Sequence, residues 1–192
     1  LKENVMNVID TRHDRRIRTV YNIFTVDNCS AWVHDWDQDP ESRIDPARIV
    51  SCAIHDGEKI WSGYISAEVY GAMKNRTGAA YTSEHFYSRQ RAGVVILQWL
   101  ADRRNNLPTL DEFATVFRKY CQVHRTSSSE NTRLSKAMVD DSVHWLDAYE
   151  SAGIRLMKLD MTGRKNITRK FLQERHPKFV QASRDELFER FG

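Results

Sequence analysis

The longest largely apolar stretch of the chain is Ala92–Ala101 (AGVVILQWLA), which is interrupted only by Gln98. A helix that crosses a membrane needs about 20 mostly apolar residues, roughly twice this length. The stretch is apolar on nearly all sides, so it predicts a core helix that runs from Ala92 to Arg104. The N-terminal LKENVMNVID lacks the apolar run and the small-residue cleavage site of a secretory leader. We therefore expect a cytoplasmic protein without a membrane partner (the host cytoplasm, if the chain comes from a phage).

Extended segments are predicted mainly in the first third of the chain. Ile17–Val26 (IRTVYNIFTV) is rich in β-branched and aromatic residues, which favours a strand. Arg48–Gly63 has two apolar segments separated by Asp56-Gly57, a pair typical of a tight β-hairpin turn. Ser66–Lys74 is expected to form a short helix.

Helices are predicted for most of the remaining sequence. Thr109 with Glu112, and Ser127 with Glu130, each match the capping box that begins a helix. Apolar residues with helical spacing precede Gly153, which is typical of a helix end. Ile154–Leu159 is expected to form a short strand. The order of elements favours an α+β fold, with N-terminal strands and a hairpin followed by a mostly helical C-terminal half.

Charge is unevenly distributed, although Lys and Arg exceed Asp and Glu by only three. Residues 164–192 hold eight basic and four acidic side chains, so we expect a main domain over residues 1–162 and a basic helical tail over 163–192, packed on it or extending from it. An acidic segment lies between Asp27 and Asp45. Solvated helix faces explain each cluster equally well.

Several common sites are disfavoured. The three cysteines are few, odd in number and far apart, which argues against a disulfide framework, and no CxxC pair is present. A thiol hydrolase built on Cys29 is an alternative, but nearby Asp27 and Asp35 would raise the pKa of its thiol. Counted from Asp35, an EF-hand loop would require Gly and Glu where Pro40 and Pro46 stand. The chain also lacks phosphate-binding glycine motifs.

One set of residues has the order of a metal-assisted nuclease site. Glu84 and His85 end a predicted extended segment, His124 lies in a second one, and Asn131 follows in a capped helix. Such a nuclease needs a neutral imidazole to deprotonate water, oxygen or nitrogen ligands for a divalent cation, and basic groups that hold the phosphate.

These residues resemble the HNH (ββα-metal) nucleases, particularly the divergent phage type, over about residues 79–138. The resemblance implies that His85 is the general base, that Glu84 and Asn131 ligate Mg²⁺ or Mn²⁺, and that His124 is a further ligand or a phosphate contact. Arg89 and Arg91 would bind the phosphate. The sequence departs from the family because a predicted helical pair, Gln90–Tyr120, separates the first two elements, and no middle Asn is evident.

Structural roles would explain the same residues. His85 would then be a half-buried histidine at a helix entrance, Asn131 a polar residue on an exposed helix face, and His124 a strand residue whose ring binds backbone.

A nucleic-acid-binding module without catalysis needs only a basic face with aromatic side chains for stacking on bases. Tyr81, Phe86 and Tyr87 are the candidate stacking residues. The candidate contacts to nucleic acid, with DNA favoured over RNA, are Arg12, Arg15, Arg16, Arg89, Arg91, Arg164, Lys165, Arg169 and Lys170. The alternative is a self-assembling or scaffold protein, a homo-oligomer or part of a larger assembly, whose acidic and basic segments bind each other.

Overall fold

The computed structural model describes residues 12–27, 43–57, 59–78, 80–138, 143–163 and 166–191. These residues form an α+β fold with nine α-helices and one four-stranded mixed sheet. The predicted fold class is therefore confirmed. Residues 28–42, which include most of the acidic segment together with Cys29 and Asp35, lie outside the described residues, as do Arg164 and Lys165.

The chain divides into two compact units. The first contains the described residues up to 57 together with residues 89–118, and the second contains residues 59–88 and 119–191. No helix in the described ranges is both long enough and apolar enough to cross a membrane.

The first unit is helical. Helix α1 (Arg12–Asn22) continues into a π-helical turn (Ile23–Asp27), and α2 is Ile44–His55. Helix α4 is Arg89–Ala101, and α5 (Leu110–Tyr120) has its last two residues in the second unit.

Two predictions for the first unit are wrong. Ile17–Val26 is helical because Ile17, Val20 and Phe24 recur at helical spacing, and all three are buried. The predicted hairpin over Arg48–Gly63 is instead the end of α2, a short connection and the start of a strand. Asp56 ends α2, and its N–H donates to the carbonyl of Cys52. Burial of one helical stripe outweighs β propensity here.

The second unit contains the sheet. Its elements in chain order are β1 (Ile60–Ser66), α3 (Ala67–Asn75), β2 (Tyr81–His85), β3 (Gln122–Ser127), α6 (Ser128–Ala137), α7 (Trp145–Ser151), β4 (Leu156–Lys158), α8 (Arg169–Arg175) and α9 (Arg184–Phe191). The predicted short helix near Ser66–Lys74 and the strand within Ile154–Leu159 are confirmed, and the predicted tail is helical over Arg169–Arg175 and Arg184–Phe191, of which only the first is basic.

The strand order is β2-β3-β1-β4. The central strands β1 and β3 are parallel, whereas β2 pairs with β3 and β4 with β1 in antiparallel fashion. The register of β1 against β3 shifts between Trp61 and Ile65. Gly63 lies at this irregularity with a φ of 89°, a conformation that favours glycine.

Each parallel strand leads directly into a helix that a serine caps. The Ser66 side chain accepts from the Val69 N–H at the start of α3, and Ser127 accepts from Glu130 at the start of α6. The predicted capping boxes at Ser127 and Thr109 are both present. These short connections fix the positions of the ends of β1 and β3. They therefore also fix the positions of the side chains that these strands carry.

One apolar cluster lies on each face of the sheet. The first contains Tyr64, Phe86, Trp145 and Phe191, and the second contains Ile65, Val69, Met157 and Leu172. Tyr64 and Ile65 are successive residues of β1, so they point to opposite faces.

Candidate functional site

A polar and aromatic surface lies on the β2 and β3 strands. The register pairs Tyr81 with Ser127 and Ser83 with Arg125. Residues two apart in a strand point to the same face, so Tyr81, Ser83 and Arg125 share one face of the sheet. Tyr81 keeps 46% of its surface exposed, and Ser83 is also exposed. This face therefore offers solvent-accessible side chains that are fixed by regular strand pairing.

Arg125 is held by two aromatic rings from the neighbouring strands. Its guanidinium carbon lies 4.7 Å from the centroid of Tyr81 on β2 and 5.3 Å from the centroid of Trp61 on β1. Both distances are within the range of cation–π attraction. We call Trp61, Tyr81 and Arg125 the sheet platform.

The charge of Arg125 is not neutralised within the described part of the chain, where no carboxylate forms an ion pair with it. Some other arginines of this unit are ion-paired, whereas Arg155 and Arg190, like Arg125, contact aromatic rings and form no ion pair among the described residues. Arg133 lies 2.8 Å from Glu68, and Arg184 contacts both Asp147 and Glu150. Contact with the rings orients the Arg125 guanidinium and leaves N–H groups for an external acceptor.

The two strands also determine where the predicted nuclease residues lie. Glu84 pairs across the strands with His124, whereas His85 pairs with Val123. Because successive residues of β2 point to opposite faces, Glu84 and His124 share one face, and His85 points to the other. The predicted order of strand, strand and capped helix is present as β2, β3 and α6.

His124 is completely buried, and its Nε2 lies 2.8 Å from the Tyr149 hydroxyl. Burial, with a smaller effect of His85, lowers the pKa of His124 to about 3, so the ring is neutral at pH 7. The ring therefore binds a tyrosine side chain and not backbone, which corrects the structural alternative proposed for it.

The other predicted residues have different surroundings. His85 is half-buried, with Nδ1 3.2 Å from the carbonyl oxygen of Tyr120. Burial raises the pKa of Glu84, against the opposing effects of the His85 N–H and of Lys59. Asn131 is half-buried on α6, and its carbonyl accepts from the Ser135 hydroxyl.

A metal site requires several ligands that converge on one point. Within the described ranges, no three His, Cys, Asp or Glu side chains are grouped closely enough to hold a metal ion. Glu84 and His85 do not present their side chains to the same side of β2. Metal-dependent cleavage with His85 as base therefore stays a prediction.

The predicted basic contacts are divided between the two units. Arg12, Arg15, Arg16 and Arg91 belong to the first unit, as does the backbone of Arg89. Arg169 and Lys170 are exposed on α8 in the second unit, where Lys170 lies 3.7 Å from Glu174. That these residues form one basic face stays a prediction.

Of the three predicted stacking residues, Tyr81 is exposed as expected. The prediction that Phe86 stacks on bases is wrong, because Phe86 is 2% exposed and stacks on Phe191 with ring centroids 3.8 Å apart. Tyr87 is half-buried, and its hydroxyl donates to the carbonyl of Phe191. Trp61 and Arg125 were missed as members of a site. The alternation of residues 81–83 and 123–125 could have indicated two strands. No signal in the sequence indicated that these two strands pair with each other.

Comparisons with protein-family models, with curated proteins and with solved structures found no match.

Proposed function

We propose that this protein binds single-stranded nucleic acid, and that the sheet platform is the primary contact. The observation that carries the proposal is Arg125, which lies over two aromatic rings and has no carboxylate partner among the described residues. Aromatic rings and guanidinium planes on a sheet are typical contacts for unstacked bases.

The two kinds of side chain have separate roles. The exposed Tyr81 ring offers a surface on which a base stacks, and every base has such a face, so this contact is tolerant of sequence. The Arg125 guanidinium donates to a phosphate oxygen or to a base edge. Ser83 stands opposite Arg125 and adds a hydroxyl that can donate or accept.

Single strands are favoured over a duplex because a base must be free to lie flat on Tyr81. In a duplex each base face is already stacked on its neighbours. The net charge of +3 is small, so we expect the affinity to come from stacking together with a few phosphate contacts.

The test is fluorescence anisotropy with labelled 15-nucleotide single-stranded DNA and RNA, in EDTA, against the matching duplexes. Tyr81→Ala and Arg125→Ala should each weaken single-strand binding by about tenfold, as expected for loss of one stacked base or one charged contact. Arg125→Lys keeps the charge but loses the planar contact with the rings, so it should recover only part of the affinity.

Arg175→Ala is the matched control, because Arg175 is exposed in the same unit but is paired with Asp160 at 3.2 Å. It should bind like the wild type. Equal thermal unfolding of all variants establishes that the fold is intact. Wild-type affinity in both Arg125→Ala and Tyr81→Ala, or tighter binding of the duplex, would refute the proposal.

A further inference from the structure

The first unit contains a groove, and none of the platform residues lines it. It lies where α4 ends and α5 begins, and it has a volume of about 500 Å³. Pockets that hold small ligands usually measure about 300–1,000 Å³. All of its lining residues fall within residues 99–116.

Part of the groove's surface is apolar. Trp99 and Val116 are half-buried, and Leu107 is 37% exposed. The Trp99 and Leu107 side chains line one concave surface, so they can pack against a planar ring of a ligand.

The positively charged side chain of Arg103 lines the groove. The guanidinium carbon of Arg103 is 4.6 Å from the centroid of the Trp99 ring, and Nη1 lies 3.3 Å from the Trp99 carbonyl oxygen. Arg103 forms no ion pair with any carboxylate of the described ranges. Its orientation is thus fixed by an aromatic ring and a backbone oxygen, and its charge is available to an anion.

A carboxylate also lines the groove. Glu112 Oε2 accepts from the N–H of Thr109 at 2.7 Å and from its hydroxyl at 2.9 Å. These hydrogen bonds lower the pKa of Glu112, with a smaller effect of Arg103, so the group is ionised at pH 7. Both bonds are made to one oxygen, and in the described structure Oε1 accepts none.

A complementary ligand must therefore carry an anionic group for Arg103, a hydrogen-bond donor for Glu112 and a flat, weakly polar body for Trp99 and Leu107. We propose that this groove binds a nucleoside monophosphate, with the phosphate on Arg103, ribose hydroxyls or an exocyclic amine on Glu112, and the base against Trp99 and Leu107. An amino acid has the two charges but fills only a fraction of the volume.

The experiment is isothermal titration calorimetry of the full chain with AMP, and separately with adenosine and with phenylalanine. Saturable AMP binding is expected, with adenosine at least tenfold weaker because it lacks the phosphate. Arg103→Ala should weaken AMP binding at least tenfold, and Arg103→Lys should restore part of it. Glu112→Gln keeps a capping side chain and should weaken AMP binding several-fold.

Arg118→Ala is the matched control, because Arg118 is exposed in the same unit but is paired with Asp14 at 2.7 Å, and it should bind AMP like the wild type. The proposal is overturned by absence of AMP binding at millimolar concentration, by unchanged binding in a folded Arg103→Ala, or by phenylalanine binding more tightly than AMP. AMP binding that Arg125→Ala weakens more than Arg103→Ala does would place the nucleotide on the platform and would also overturn the proposal.

Discussion

The Tyr149 hydroxyl lies 2.8 Å from Nε2 of His124, inside the apolar cluster that includes Phe86 and Trp145. His124 is fully buried and Tyr149 is 3% exposed, so this hydrogen bond links α7 to a central strand of the sheet without access to water. A buried polar group that loses its partner costs about 1–3 kcal/mol.

Tyr149→Phe should therefore lower the free energy of unfolding by about 1–3 kcal/mol, because the His124 nitrogen is left unpaired. Urea denaturation measures the change. Tyr21→Phe is the matched control, since the half-buried Tyr21 donates through its hydroxyl to the carbonyl of Pro108 and water can replace it. A larger loss in Tyr21→Phe than in Tyr149→Phe would contradict the importance of burial.

Stability should fall as the pH is lowered from 6.5. The pKa of His124 is about 3 in the folded chain, against about 6.5 for an exposed histidine. Between these values the unfolded chain binds a proton that the folded chain does not, which costs at most about 1.4 kcal/mol per pH unit.

Urea midpoints between pH 7 and pH 5, compared with His124→Gln, isolate this contribution. Gln retains a hydrogen-bonding group but does not titrate, so its pH dependence should be shallower. Glu68 affects the stability only at lower pH, because hydrogen bonds from Ser127 and Ser129 lower its pKa to about 2. Its contribution is lost only as the pH falls from about 4.5 toward 2. Parallel pH profiles for wild type and His124→Gln would disprove the assignment.

Gly93 is required where α4 crosses α2. A Cβ at this position would lie 2.2 Å from the Ala47 carbonyl oxygen and 2.4 Å from the Ser51 hydroxyl. Gly93→Ala should destabilise the protein by about 3 kcal/mol, at the upper end of the cost of overpacking, because backbone must move.

Gly71→Ala in α3 is the matched control for this helical glycine. Its Cβ would meet nothing within 4 Å, so the substitution should stabilise the helix by about 0.5–1 kcal/mol. Thermal unfolding measures both changes. Opposite signs are expected, and a neutral Gly93→Ala would show that the helices do not approach as described.

Glu130 joins the starts of two helices. It is 1% exposed, and its carboxylate accepts from the Ser66 hydroxyl and, at 2.9 Å, from the Ser127 N–H. Glu130→Ala should cost about 3 kcal/mol, since it removes a helix cap and a charged hydrogen bond. Glu130→Gln retains acceptor geometry and should cost about 1 kcal/mol. Equal losses in the two variants, measured by urea denaturation, would refute this role.

Binding of oligonucleotides should weaken as salt rises, because phosphate contacts release counterions. If Arg125 makes one phosphate contact, Arg125→Ala should reduce the slope of log affinity against log salt by about 1. Tyr81→Ala should lower the affinity at every salt concentration and leave the slope unchanged. Titrations between about 50 and 200 mM NaCl distinguish the two effects. A slope that changes only in Tyr81→Ala would reverse the roles proposed here.

Helix starts were predictable because their signals are local. A capping box places the two hydrogen-bonding residues three positions apart, so Thr109 with Glu112 and Ser127 with Glu130 could be identified without tertiary contacts. The α+β class was predicted from the order of elements, and it is confirmed although the N-terminal strand and hairpin in that order are wrong.

The N-terminal elements were missed because composition and periodicity disagreed. Ile17–Val26 has strand-like residues, but its buried side chains follow a helical period. In the predicted hairpin and directly before it, Ala47, Val50 and Ile54 are buried with helical spacing, and Asp56-Gly57 follows the end of a helix. Burial determined both outcomes, and burial depends on partners far along the chain.

The platform could be predicted only in part. Tyr81 was a candidate for stacking because of its residue type. The significance of Arg125 depends on its register opposite Ser83 and on Trp61 in a third strand, and these pairings span more than forty residues. No local pattern contains that information.

The position of β3 between β1 and β2 restricts how the protein can be assembled during translation. β1 and β2 emerge first but do not pair with each other, so the ribosome must add the whole of α4 and α5 before either strand gains its main neighbour. A nascent chain that ends before Gln122 therefore lacks the central pairings of the sheet, and its two early strands leave open edges that invite aggregation.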